Sequence, residues 1–380
     1  MRNRLCEQLG LDFPLFAFTH CRDVVVEVSK AGGMGVLGVA GFSPEKLEAE
    51  LQWIDERVNG KPYGVDLIVP AKFATKGKRL SPSETASQIP EEHREFLKAL
   101  LARFDIDTSI VNNERFERGT RLGDNMADDG AATSLDVAFS HPIAMIANAL
   151  GPPPPYMIDR AKAEGVPIAA LVGAREHAVK QAEAGVDIIV AAGTEAGGHC
   201  GEISTMVLVP EVVDAMRAYG DIPVLAAGGI VTGRQMAACM AMGAAGAWCG
   251  SVWLTTPESE TTPTVKEKML AATSRGTVRS KARTGKYSRQ LRTAWTDAWE
   301  AEGAPSPLPM PFQSVAVEPT MHRVAQLAEG GHEGAKDLVS YFVGQGVGLM
   351  NESISTKHVV QGFMEDFLVA SERLQDFLSD

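Results

Sequence analysis

The sequence has few cysteines, and no two of them stand at the spacing of a metal site. The five cysteines, Cys6, Cys21, Cys200, Cys239 and Cys249, are widely scattered and include no CxxC pair. An odd number of scattered thiols favours reduced cysteines over a disulfide framework. We therefore expect a cytoplasmic protein without a bound metal.

Long apolar runs and excess basic charge are also absent. No stretch of about 18 apolar residues could span a bilayer, and the first ten residues contain no apolar region typical of a secretory signal. The chain has 36 Lys and Arg against 48 Asp and Glu, a net charge of −12. An acidic surface repels nucleic-acid phosphates and anionic lipids. We expect a small-molecule substrate, with no nucleic-acid and no membrane partner. The sequence leaves open whether the chain forms a homodimer.

Strand-like apolar runs alternate with helical periods along most of the chain. Runs such as VDIIVAA and IPVLAA suit a parallel sheet that is covered on both faces. The predicted strands are residues 13–18, 34–40, 63–69, 143–150, 167–172, 187–191, 223–227 and 245–249. Eight successive β–α units close naturally into a barrel, so the predicted fold is an α/β (β/α)8 TIM barrel.

Two regions do not fit the repeat. Residues 71–135 are long and polar, and we predict an insertion after strand 3, either a solvated elaboration or a lid over the substrate. The tail from 274 to 380 is predicted to be a C-terminal helical extension packed on the barrel of residues 1–273. Its two amphipathic helices are expected near 334–343 and 358–378.

Glycine-rich turns follow the seventh and eighth predicted strands. LAAGGI (225–230) ends strand seven and WCGS (248–251) ends strand eight. Glycines at both places let backbone N–H groups converge on a phosphate, and TIM barrels often bind phosphate there. The dinucleotide fingerprint at 33–38, GMGVLG, follows a helix and enters a strand, the reverse of the required order. The residues therefore indicate one phosphate site and no second one of the dinucleotide kind.

Two of the eight histidines are predicted on loops at the mouth of the barrel, where TIM-barrel active sites lie. His20 follows the first strand, and His199 lies in GTEAGGHCG (193–201) after the sixth. A histidine titrates near neutral pH and can accept a substrate proton, so both are catalytic candidates. Cys200 adjoins His199, but without a second partner a small loop residue is favoured over a thiolate.

The sequence resembles the nitronate monooxygenase (2-nitropropane dioxygenase) family of FMN-dependent TIM barrels. The resemblance rests on GTEAGGHCG (193–201), the segment 223–259, AGGMGVLG (31–38) and, more weakly, RTGKYSRQLR (283–292). It implies a flavin-dependent oxidoreductase that oxidises alkyl nitronates with O2, with a histidine at the flavin face.

The resemblance also implies which residues contact FMN. The turns at 228–229 and 250–251 match those that hold the phosphate, and the loop at 197–199 matches one beside the flavin ring. Ala192 and Asp66 stand where the family usually has glutamine and asparagine, and residues 17–20 replace its usual turn after strand 1. The implied flavin-binding set is Ala17, Phe18, Asp66, Ala192, Gly197, Gly198, Ala227, Gly228, Gly229, Cys249, Gly250 and Ser251, with His199 and His20 as catalytic residues.

Two other functions stay open from the sequence. One is an NAD(P)H-dependent FMN reductase of an enone, enoyl thioester or quinone, in which NAD(P)H replaces O2 as co-substrate. The other is a flavin-free barrel that binds a phosphorylated metabolite. The colour of the purified protein distinguishes the second from the flavin enzymes.

Overall fold

The chain folds around a closed barrel of parallel strands. The computed structural model describes residues 3–68, 88–112, 128–149 and 151–379. The strands are β1 (Leu15–Thr19), β2 (Met34–Gly38), β3 (Tyr63–Leu67), β4 (Met145–Asn148), β5 (Ile168–Val172), β6 (Ile188–Ala192), β7 (Gly198–His199), β8 (Val224–Ala227), β9 (Gly246–Cys249), β10 (Thr277–Ser280) and β11 (Ser288–Leu291). β1 to β6, β8 and β9 form the barrel, which closes because β9 pairs with β1. The TIM-barrel prediction is confirmed, and each predicted strand lies within two residues of its expected ends.

Helices follow the barrel strands and cover them. They are α1 (Arg4–Leu9), α2 (Arg22–Lys30), α3 (Pro44–Asp55), α4 (Glu91–Ala102), α5 (Asp128–Phe139), α6 (Pro155–Glu164), α7 (Arg175–Ala184), α8 (Thr205–Met216), α9 (Gly233–Ala241), α10 (Pro263–Ala271), α11 (Ala294–Glu300), α12 (Phe312–Glu329), α13 (Glu333–Leu338) and α14 (Thr356–Ser379). The start of α3 is set locally, since the Ser43 side chain accepts a hydrogen bond from the Lys46 N–H at 3.2 Å and Pro44 occupies the first turn.

The inside of the barrel is closed at its amino-terminal end by α1. Leu5 and Leu9 of this helix belong to the same buried cluster as Met145 and Ile188 from the strands. Asn3 caps the helix by accepting from the Cys6 N–H, and its side-chain amide donates to the Ala245 carbonyl. The sequence analysis missed α1, because six residues are too few to display a helical period.

Helix α8 begins at Thr205 and contains a proline. Pro210 lies inside this helix, whereas proline usually interrupts one. Its first turn is capped from the segment that precedes it, since the Glu195 carboxylate accepts from both the backbone N–H and the hydroxyl of Thr205, at 2.9 and 2.8 Å. Glu195 lies ten residues before Thr205, beyond the spacing of a local N-cap.

The tail contains strands as well as helices. β10 and β11 form an antiparallel hairpin, and β11 also pairs with β7, so the tail extends a sheet from the His199 loop. The part of the insertion at 88–112 packs on the tail, where Leu97 and Leu101 join Trp295 and Val317 in one buried cluster. Residues 71–87 and 113–127 of the predicted insertion lie outside the described residues. The domain boundary at 273 stays a prediction.

Candidate active site

The carboxyl-terminal end of β3 places an unpaired carboxyl group inside the barrel. Tyr63, Val65 and Leu67 pack outward against the helices, and since side chains alternate along a strand, Gly64 and Asp66 face inward. Asp66 is 2% exposed, and among the described residues neither of its side-chain oxygens has a hydrogen-bond partner. Burial raises the pKa of Asp66 to about 8. The group is therefore mainly protonated at neutral pH and can donate a hydrogen bond to a ligand.

Aromatic rings gather at the end of β1. Phe18 stacks on Trp248 with the ring centroids 6.2 Å apart, and its edge meets the imidazole of His20 at 5.2 Å. A Cβ atom at Gly38 would lie 2.7 Å from the Phe18 ring and 2.8 Å from His20 Cε1. Glycine at 38 is therefore required for both rings to occupy this position.

The orientation of His20 is fixed by the backbone of the neighbouring strand. Its Nδ1 lies 2.6 Å from the Gly38 carbonyl oxygen. A carbonyl only accepts, so Nδ1 carries the proton and Nε2 has the lone pair when the ring is neutral. Although His20 is an exposed residue, the surrounding protein removes part of its hydration and lowers its pKa. Lys46 adds to this effect, whereas the Gly38 hydrogen bond and Glu260 oppose it.

His199 is held by the tail hairpin rather than by its own loop alone. It is paired with Ser288 of β11, and its Nε2 lies 2.8 Å from the Thr284 hydroxyl. That hydroxyl donates to the Lys286 carbonyl at 3.1 Å, so it accepts from His199, whose lone pair is then on Nδ1. His199 is exposed, but loss of hydration and the nearby Lys286 ammonium lower its pKa to about 4. This value is well below the near-neutral titration expected from the residue type.

The glycine turn after β8 has the backbone shape that the sequence predicted. Gly228 and Gly229 both have positive φ, 108° and 71°, a conformation that L side chains rarely adopt. The side-chain amide of Gln235 braces the turn by donating to the Gly229 carbonyl at 2.8 Å. After β9, Gly250 approaches the first strand, since a Cβ there would lie 3.7 Å from the Phe18 ring. The turns at 228–229 and 250–251 thus flank the mouth.

A segment of the tail that the sequence analysis did not single out joins these loops. The Gly344 N–H donates to Ser251 Oγ at 2.8 Å, and the Gln345 N–H donates to the Glu195 carbonyl at 2.9 Å. A Cβ atom on Gly346 would lie 2.9 Å from the Gly229 carbonyl oxygen. The available signal was GQGVG at 344–348, in which three of five residues are glycine.

Three residues singled out in the sequence, Ala17, Cys249 and Cys200, do not place a reactive side chain at the barrel mouth. Ala17 and Cys249 are partners in the strand register and belong to the outer core between strands and helices, so only their backbone can face a ligand. Burial raises the pKa of Cys200, although Arg289 and Arg279 oppose the shift. This supports the interpretation of Cys200 as a loop residue rather than a thiolate nucleophile.

The remaining predicted residues gather at one end of the barrel. His20 and Phe18 lie at the end of β1, Asp66 near the end of β3, and Ala192 at the end of β6. The other positions, 197–199, 227–229 and 250–251, lie at or just beyond the ends of β6, β8 and β9. This arrangement offers a protonated carboxyl, two neutral imidazoles, an aromatic wall and two glycine turns. It suits a planar ligand that carries a phosphate.

Comparison with known proteins identifies the family of the chain. Residues 18–366 match the family model described as nitronate monooxygenase. The chain belongs to the nitronate monooxygenase family. It is 51% identical over 377 residues to the Mycobacterium tuberculosis protein named "Putative monooxygenase Rv1533", with 99% of each chain covered. It is 27% identical to a "Probable nitronate monooxygenase" of Staphylococcus aureus strain Newman, over 78% of this chain and 80% of that one.

Solved structures share the same architecture. FabK from Thermotoga maritima superposes with a TM-score of 0.72 at 25% identity, over 99% of both chains. A nitroalkane oxidase from Streptomyces ansochromogenes has a TM-score of 0.77 at 22% identity, over 98% of this chain and 100% of that one. Family and fold together identify a flavin-dependent oxidoreductase. No helix in the described ranges is long and apolar enough to cross a membrane.

Proposed function

We propose that this flavoenzyme binds FMN at the barrel mouth and oxidises alkyl nitronates with O2. The observation that carries the proposal is the Asp66 carboxyl, which is buried and faces the barrel mouth without a partner among the described residues. A buried polar group of this kind costs free energy unless something satisfies it. In a member of the nitronate monooxygenase family, the polar ring edge of a flavin is the ligand that meets this requirement.

The residues around the mouth fit FMN. The turns at 228–229 and 250–251 offer backbone without Cβ atoms at three of the four positions, as close approach to a phosphate requires. Ser251 Oγ already accepts from the Gly344 N–H, so its hydroxyl proton remains able to donate to a phosphate oxygen. Asp66 would donate to a carbonyl oxygen or ring nitrogen of the flavin. Phe18 would supply an apolar wall, and Ala192 leaves room for the ring.

The two histidines supply the proton chemistry. When bound, FMN accepts electrons from the substrate and allows their transfer to O2. The lowered pKa values of His199 and His20 keep both imidazoles neutral at pH 7, so each can accept a proton. We assign this role first to His199, through Nδ1, because its loop matches the family's flavin-side loop. His20, through Nε2, is the alternative proton acceptor.

The co-substrate separates this function from a nicotinamide-dependent reductase. Under anaerobic conditions, an alkyl nitronate should bleach the blue absorbance of the purified protein within the turnover time, and admission of O2 should restore it. NADH and NADPH should leave the absorbance unchanged on the same timescale. Rapid bleaching by NADPH but not by the nitronate would identify a reductase instead. Protein without blue absorbance, even after incubation with FMN, would contradict both.

The phosphate site can be tested with Gly250→Ala. Gly250 has φ −114°, and the added Cβ would meet nothing closer than the Phe18 ring at 3.7 Å, so the fold should tolerate the change. A methyl group at the phosphate should weaken FMN binding by about tenfold or more, equal to about 1.4 kcal/mol. Titration of the flavin-depleted protein with FMN measures the loss, and the flavin released from wild type should chromatograph as FMN.

Gly276→Ala provides the matched control for this variant. It adds the same methyl group in the tail, where the nearest atom would be the Ala272 Cβ at 3.6 Å. Its FMN affinity should equal that of the wild type. Unchanged FMN affinity in Gly250→Ala would contradict the assigned phosphate site, and release of FAD would contradict the assigned cofactor.

A further inference from the structure

The hairpin that pairs with the His199 loop concentrates positive charge in an otherwise acidic chain. Residues 275–292 contain Arg275, Arg279, Lys281, Arg283, Lys286, Arg289 and Arg292, and no Asp or Glu, although the whole chain carries a net charge of −12. This segment contains the two strands of the hairpin, β10 and β11, and the turn that joins them. The local charge is therefore opposite in sign to that of the rest of the protein.

Part of this charge is used within the fold. Arg283 forms two hydrogen bonds with the Glu318 carboxylate, the shorter at 2.7 Å, and Arg292 pairs with Asp297 at 2.8 Å. Arg289 is buried and donates to the Thr194 carbonyl at 2.8 Å and to the Thr277 hydroxyl at 3.1 Å. These three arginines therefore have structural partners.

Two of the other basic residues, Arg279 and Lys281, lie over one exposed tyrosine. The Arg279 guanidinium and the Lys281 ammonium lie 4.2 and 4.8 Å from the centroid of the Tyr287 ring. Arg279 has a weak ion pair at 3.3 Å with Glu202, whose side chain is 77% exposed. Lys281 and Lys286 form no ion pair within the ranges that the structure describes. Uncompensated cations thus converge on the surface of the hairpin.

Holding these cations together costs free energy in the absence of an anion. Arg279 stands directly opposite Arg289 in the hairpin register, and like charges facing each other across strands are destabilising. In addition, the Nε–H of Arg279 has no acceptor among the described residues. An anion that binds here would remove both penalties.

We infer that Arg279, Lys281 and Lys286 bind the anionic end of the substrate, a phosphate or carboxylate group, outside the barrel. The position suits this role, because Lys286 lies close enough to His199 to affect its ionisation and β11 pairs directly with the His199 strand. A substrate held by the hairpin would direct its other end toward His199. This inference deepens the proposed function and depends on it for the identity of the reacting group.

Calorimetric titration of the purified holoprotein at low ionic strength tests the inference without turnover. Inorganic pyrophosphate and glutarate serve as phosphate and carboxylate probes, and the better ligand identifies the chemistry of the substrate's anionic end. Lys281→Gln/Lys286→Gln should weaken binding of that ligand at least tenfold. The matched control, Lys30→Gln/Lys336→Gln, removes the same charge from two surface positions that pair with Glu27 and Glu333, and it should bind as wild type does.

Two outcomes would overturn the inference. One is that the wild type binds neither anion, and the other is that the hairpin variant binds as tightly as the control. Flavin content and nitronate oxidation are measured on the same preparations. A colourless or nitronate-inactive protein that still shows lysine-dependent anion binding would therefore refute the proposed function and leave the anion site standing.

Discussion

His199→Asn is expected to lower kcat/KM for nitronate oxidation by about 10²–10⁴-fold, the usual contribution of a general acid or base. Asparagine can keep a hydrogen bond to Thr284 but cannot accept a proton. The variant should therefore retain its FMN and its fold while the barrier rises by about 3–5 kcal/mol. Steady-state kinetics, flavin content and thermal unfolding, measured together, separate loss of proton transfer from loss of structure.

The pH profile gives this prediction a second readout. The lowered pKa keeps His199 unprotonated at neutral pH, and activity that needs this form should fall as pH drops through about 4. His199→Asn should lack this acidic limb. If His20→Asn shows the large loss and His199→Asn only a small one, His20 is the proton acceptor. Wild-type kcat/KM in the asparagine variant at 199 would eliminate His199 from the chemistry.

The barrel could be predicted because its signal is local and repeated. Continuous apolar runs such as that of β6 are bounded by glycine and polar residues, and each is followed by a helical period. Other features depend on contacts outside the local pattern. The first turn of α8 is capped by Glu195, ten residues earlier in the preceding segment, and β7 is a strand only because β11 lies beside it.

The site could be predicted as a set of positions but not as a set of side-chain directions. Ala17 and Phe18 are neighbours in sequence, yet Ala17 packs in the outer core and Phe18 against Trp248. Which residue faces inward depends on the register of the closed barrel, and a shift by one residue reverses it. The contacts of residues 344–346 with the loops of the mouth could not be predicted either, because these residues are about 90 positions from Ser251 in the sequence.

The environment of His199 also required the structure. The sequence places a histidine on a flexible, glycine-rich loop, which suggests hydration and a normal pKa. In the fold, the tail supplies the Thr284 hydroxyl that contacts the imidazole, the Lys286 carbonyl that orients this hydroxyl, and the Lys286 ammonium that lowers the pKa of His199. The tail therefore affects both the tautomer and the ionisation of a residue that lies about 85 positions earlier.

Asp66→Asn should change the pH dependence of stability of the flavin-depleted protein. The pKa of Asp66 is raised by burial from 3.8 to about 8 in the folded state. Between these values the unfolded chain binds fewer protons than the folded one, so the free energy of unfolding falls as pH rises. The slope is about 1.4 kcal/mol per pH unit and ends near pH 8, with a total of about 6 kcal/mol as an upper limit.

Asparagine at 66 is uncharged at every pH and should lack this slope. The variant should match the wild type near pH 4 and be more stable near pH 8, because folding of the wild type then requires a carboxylate that is ionised in the unfolded chain to take up a proton. Chemical denaturation across this range measures the difference, and Asp376→Asn, which removes an exposed carboxylate, should follow the wild type.

If FMN receives a hydrogen bond from the protonated carboxyl, FMN affinity of the wild type should also weaken as pH rises through about 8, whereas that of Asp66→Asn should stay constant. Parallel stability curves for wild type and Asp66→Asn would show that the carboxyl is already ionised or hydrated in the mouth, and the hydrogen bond assigned to it would then have to be withdrawn.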